Sequence, residues 1–124
     1  MPKGSYVDGF VLLIPKKNTA KYRKMATDGE RVWRRFGALD YKECVLTDAK
    51  PEGLVLTFPK LTKAKPSEAI WFSFIVFKSR AHRDEVNKKV MAYFAKKYGA
   101  DTMKDMPFDM KRFSYGGFKV VVGA

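Results

Sequence analysis

The segment Ala69–Lys78, AIWFSFIVFK, constrains the fold more than any other part of the chain. Only Ser73 and Lys78 in it are polar, so an extended strand here is apolar on both faces. Such a strand belongs at the centre of a sheet, with something covering it on each side. The rest of the sequence has to supply those covers.

Ser5–Ile14 is rich in β-branched and aromatic residues, and Pro15 closes it, which predicts a first strand. Tyr22, Met25, Ala26, Gly29, Val32, Trp33 and Phe36 then recur at spacings of three and four, one apolar helix face. Asn18 is placed to cap that helix and Gly37 to end it. Lys21, Lys24, Asp28, Arg31 and Arg35 fall on its opposite, wet face. Gly29 suits a helix interior only if the helix lies close against the sheet. Ala38–Leu46 reads as a second strand with Leu39, Tyr41, Glu43 and Val45 on one side. Asp48–Glu68, with Pro51, Gly53, Pro59 and Pro66, predicts a long connection with a short strand at Leu54–Phe58. After the central strand, Ser79 caps a second helix, Val86, Val90, Met91, Phe94 and Tyr98 form its apolar face, and Gly99 ends it. Ala100–Lys111 is a loop, and Arg112–Val122 a last strand in which Gly116-Gly117 marks a bulge or a close backbone approach.

The order β-α-β-β-α-β is the ferredoxin-like arrangement, an α+β fold with a four-stranded antiparallel sheet and two helices on one face. At 124 residues it fills one domain, residues 1–124. The other sheet face is expected to carry Tyr6 or Phe10, Tyr41, Trp71 and Tyr115. A bare apolar face of that size calls for a partner, and a second copy in a two-fold dimer is the economical one.

Composition excludes several classes. One His and one Cys leave no disulfide framework and too few ligands for a zinc site within one chain, so no metal and no cofactor is expected. There is no 18-residue apolar run, and Met1–Gly9 lacks the apolar core of a signal peptide. A cytoplasmic protein without membrane contact is the expectation. The net charge of +12 is shared by both halves of the chain and forms no tail. A positive field of that kind attracts polyanions at low salt without base specificity. The third strand lacks the Lys/Arg-Gly-aromatic pattern of a ribonucleoprotein motif.

The candidates for chemistry are few. His82, the sole imidazole, lies in the first turn of the second helix and borders its apolar face. It is either a general acid or base or a residue bonded to nearby backbone. Asp8 and Glu43 lie in strands, where acids are depleted, and are either proton acceptors or partners of Lys42, Lys119 or Arg112. Asp109 belongs to a solvated loop. Tyr6, Tyr41, Trp71 and Tyr115 offer broad apolar area with a polar tip, suited to a pocket for a ring-shaped ligand or to interface packing. Cys44 reads as a small core hydrophobe.

Four blocks resemble the bacterial family domain of unknown function 1428, the YbaA-like proteins. They are Tyr6–Asn18 (YVDGFVLLIPKKN), Gly37–Val45 (GALDYKECV), Phe72–Met91 (FSFIVFKSRAHRDEVNKKVM) and Asp105–Phe118 (DMPFDMKRFSYGGF). The resemblance covers almost the whole chain and implies a dimeric α+β barrel, two ferredoxin-like units paired sheet to sheet. It implies no activity. The functional expectation is a homodimeric barrel that binds or turns over a small molecule. The alternatives are a basic RNA- or DNA-associated accessory protein, or a structural dimer without ligand.

Overall fold

A computed structural model describes residues 4–99 and 106–123. Its strands are β1 (Tyr6–Pro15), β2 (Asp40–Val45), β3 (Glu68–Phe77) and β4 (Ser114–Lys119). Its helices are α1 (Thr19–Arg35), α2 (Phe58–Thr62) and α3 (Arg80–Tyr98). The sheet is antiparallel throughout, in the order β2-β3-β1-β4, which is compatible with a ferredoxin-like fold. As the two-sided apolar pattern of Ala69–Lys78 requires, β3 lies inside the sheet, beside β1.

The long helices pack on one face. Val32 of α1 and Val86 and Val90 of α3 meet Tyr41, Ile75 and Phe77 in one core cluster. Tyr22 and Ala26 meet Leu12, Ile14 and Trp71 in a second. Ser79 Oγ accepts the His82 N–H at 3.0 Å and starts α3. Gly37, at φ 120°, ends α1 in a conformation that a side chain would strain.

Several local expectations are corrected. Asn18 occupies the N-cap position of α1, after a 3-10 turn at Lys16–Asn18, but its side chain makes no capping hydrogen bond. Its side-chain amide instead donates to the Pro107 carbonyl at 2.9 Å. Leu54–Phe58 forms no strand. Thr57 within it caps α2, which begins at Phe58, with Pro59 in the first turn, where its missing N–H costs nothing. Gly116-Gly117 is no bulge, since the β1–β4 ladder runs in register with Gly116 opposite Gly9 and Gly117 opposite Asp8. The close approach is real at Gly117, where a Cβ would lie 2.9 Å from Arg83 Nη1. Cys44 is exposed, because it sits on the sheet face away from the helices, opposite Phe72. Residues 100–105 of the expected loop lie outside the described residues.

The largest correction concerns strand parity. Directly paired residues share a face, so Tyr6 goes with Phe77, Phe10 with Tyr115 and Ser73, and Tyr41 with Ile75. Phe77 and Ile75 are in the helix-side core, and Tyr6, Phe10, Tyr41, Trp71 and Tyr115 follow them to that side. The open face carries Val7, Val11, Phe72, Phe74, Val76 and Phe118 instead. It is apolar as expected, but its aromatic residues are phenylalanines. Phe72 is 47 % and Phe118 60 % exposed.

Gly29 shows why α1 needs a glycine. A Cβ there would lie 2.9 Å from the Tyr41 hydroxyl, which is buried and bonded to Glu43. Alanine would gain about 1 kcal/mol of helix propensity, but the hydroxyl would have to shift and strain its bond to Glu43. Gly29→Ala is therefore expected to lower stability, read as a fall in the urea midpoint. A rise in the midpoint would refute the close-packing account.

Candidate functional site

Two polar clusters lie between the sheet and the helices, and they divide the candidate residues. The first joins β1, β4 and α3. Asp8 is 1 % exposed. Its carboxylate accepts from Arg83 Nη1 at 2.7 Å and from Asn87 Nδ2 at 3.2 Å. Arg83 Nη1 also donates to the Tyr115 hydroxyl at 2.7 Å, and the guanidinium lies over the Tyr6 ring, 5.0 Å from its centre. Trp33 Nε1 donates to Asn87 Oδ1 at 2.9 Å and fixes the amide. Every charged member has a partner, which is the condition for burying charge. The partner of Asp8 comes from a helix; Lys42, Lys119 and Arg112 lie elsewhere. Arg112 instead pairs with Glu68 and Asp109.

The second cluster joins α1, β2 and β3. One oxygen of Glu43 accepts from the Tyr22 hydroxyl at 2.8 Å and the other from the Tyr41 hydroxyl at 2.7 Å. No cation pairs with this carboxyl among the described residues. Burial pushes its pKa above the usual carboxylate range, against the pull of the two hydroxyls. Both phenols are raised, first by burial and then by the charge of Glu43. The Trp71 ring meets Tyr22 edge to face, and its indole Nε1 is buried without a partner. An unsatisfied buried donor of this kind costs about 1–3 kcal/mol. Beside the cluster opens a cleft of about 330 Å³, lined by Arg23, Ala26, Tyr41, Glu43, Val45 and Trp71 among others.

Glu43, Tyr41 and Trp71 thus come together, whereas Asp8, Tyr6 and Tyr115 form a separate and self-satisfied group. His82 joins neither. Its Nδ1 accepts the Lys78 N–H at 3.0 Å, and its ring meets Phe77 edge-on. Tyr22, Arg23, Arg83 and Asn87 escaped notice in the sequence, Tyr22 because its helical spacing reads as core. Trp71 and Tyr115 face the helices, so they offer no stacking platform for bases on the open sheet. Among the described residues, no three His, Cys, Asp or Glu side chains are grouped to hold a metal, and no helix is long and apolar enough to cross a membrane.

Glu43 leads to a pH prediction. Its folded-state pKa is raised, so the native state holds the proton after the unfolded chain, with a carboxyl near pH 4.3, has released it. Wild-type stability relative to Glu43→Gln should therefore fall as pH rises from about 4.3 through the raised folded value, and level off above it. Asp28, Asp40 and Glu68 have lowered pKa values and act in the opposite sense, but they are common to both proteins and cancel in the difference. Paired urea titrations across that range test this. A flat or rising difference would contradict it.

A family described as "Protein of unknown function (DUF1428)" matches residues 5–110. The chain is 39 % identical over 118 residues to the uncharacterized protein YbaA of Escherichia coli strain K12, covering 94 % of this chain and 97 % of that one. The YbaA protein of Shigella flexneri is similar to the same extent. Among solved structures, the de novo designed protein Foldit4 is similar with a TM-score of 0.46 at 8 % identity, covering 93 % of this chain and 97 % of that chain.

Proposed function

The chain belongs to the DUF1428 family, and from that premise we propose that it is a homodimeric domain that binds or turns over a small molecule in the cleft between α1, β2 and β3. One observation carries this reading: the half-buried Glu43 carboxyl is held between two tyrosine hydroxyls, has no cation among the described residues, and borders a cleft. Asp8 makes the contrast. A carboxylate kept for the fold is paired with Arg83 and sealed in, whereas Glu43 is kept at a cost and left beside open space. A raised carboxyl can donate a proton when neutral and accept one when charged, the property that general acid–base work requires. The Tyr41 and Trp71 rings, mostly buried, each contribute an apolar strip to the cleft wall. The volume is at the small end of ligand pockets, which favours a single-ring compound over a dinucleotide.

The open sheet face supports the dimer. Its strand positions carry Lys42 as their one cation beside a field of valines and phenylalanines. Nucleic acid would find little there to pair with its phosphates, whereas a second copy buries the whole face. The exposed free thiol of Cys44 suits a reducing compartment, and we assign the domain to the cytoplasm on that ground.

A thermal-shift screen of small metabolites tests the cleft. A ligand bound only by the native state raises the melting temperature. Hits are expected that lose at least tenfold in affinity on Glu43→Gln or Trp71→Phe, each variant first shown to fold. Hits that bind both variants as they bind wild type would move the site elsewhere.

A further inference from the structure

We propose that the ligand of the α1–β2–β3 cleft is a small organic acid, its carboxylate held by Arg23 and its apolar body lying against Trp71 and Val45. The inference rests on the reading of that cleft as a binding site. Arg23 follows Tyr22 on α1 and lines the same cleft as Glu43 and Glu30, the second of which is held by Arg34 at 3.2 Å. It has no carboxylate partner among the described residues. Arg31, Arg34, Arg83 and Arg112 each have one. Lys42, also at the cleft, is held by Asp40 at 3.0 Å. Arg23 is therefore the cation at this opening that is left for a ligand, and a guanidinium grips a carboxylate through two parallel hydrogen bonds.

The walls fit the rest of such a molecule. Ala26, Val45 and the rings of Tyr41 and Trp71 are apolar. Glu43 sits with the two tyrosines and disfavours a second negative charge beside it, which orients the acid group toward Arg23. The net charge of +12 adds a field that raises the local concentration of anions.

Titration calorimetry with benzoate and its neutral isostere benzamide, at matched ionic strength, tests the inference. Benzoate is expected to bind at least tenfold tighter than benzamide. Arg23→Gln should remove that advantage, and Arg23→Lys should restore part of it. Arg31→Gln, outside the cleft, should change nothing. Equal binding of the two probes would overturn the organic-acid inference while leaving the cleft reading intact. Equal losses from Arg23→Gln and Arg31→Gln, or displacement of benzoate by inorganic phosphate at the same ionic strength, would overturn it in favour of diffuse charge attraction. Binding of neither probe also overturns it. The cleft reading itself then falls only if the metabolite screen yields no compound sensitive to Glu43→Gln.

Discussion

Asp8→Ala is expected to destabilise the fold by about 3–5 kcal/mol, the cost of removing one partner from a buried ion pair. The loss would come less from the missing attraction than from what it leaves behind. Arg83 would keep its guanidinium over Tyr6 and against the Tyr115 hydroxyl, with only the exposed Asp84 carboxylate at 2.7 Å left to balance it. Asn87 would lose an acceptor at 3.2 Å while still fixed by Trp33. Replacing both partners together, Asp8→Leu with Arg83→Met, should cost much less than the sum of the single changes, because neither charge is stranded. Urea unfolding at one fixed protein concentration gives all the values, and the fixed concentration removes the mass-action effect of association. A loss below about 1 kcal/mol for Asp8→Ala, the scale of an exposed pair, would show that Arg83 escapes to water. The cluster would then not be the sealed support described above.

The same residue explains why strand parity was hidden in the sequence. In β1 one face takes Tyr6, Asp8, Phe10, Leu12 and Ile14 and the other Val7, Gly9, Val11 and Leu13. Both sets are apolar but for Asp8, and a lone acid argues for the solvent side. The fold does the reverse, because α3 brings Arg83 and Asn87 to meet it, and no local pattern reveals a partner 75 residues away. In β3 the two sets, Trp71-Ser73-Ile75-Phe77 and Ile70-Phe72-Phe74-Val76, are just as ambiguous. The helices were legible as elements because Ser79, Gly37 and Gly99 mark ends by local chemistry, but spacing placed the face of α3 only in part: Val86 and Val90 are buried, whereas Met91 and Tyr98 of the expected apolar face are exposed. The site was half legible. Glu43, Tyr41 and Trp71 stand out as residues at odds with their strands or rich in apolar area. Tyr22 becomes a partner of Glu43 only when α1 is laid across β2.

Phe72→Glu is expected to turn a stable dimer into a monomer. Phe72 lies on central β3 on the sheet face that no helix covers, flanked by Val11 and Phe74. Nearly half exposed in the single chain, it can carry a carboxylate there without disturbing the fold. In a sheet-to-sheet dimer the same carboxylate would be buried with only Lys42, already paired with Asp40, as a cation on its face, a cost of several kcal/mol. Sedimentation at micromolar concentration should give a dimer for wild type, burying more than about 1,000 Å² in total, and a monomer for the variant. Met91 is the control. It is 54 % exposed on α3, on the helix side of the molecule, and Met91→Glu should leave the dimer intact. Cys44 supplies a second readout from the same face, since it sits opposite Phe72. Its thiol should react slowly with a disulfide reagent in the wild-type dimer and faster in the Phe72→Glu monomer. Dissociation by Met91→Glu but not by Phe72→Glu would mean that copies pair through their helices, leaving the phenylalanine face for another partner. A wild-type chain that sediments as a monomer would remove the dimer altogether.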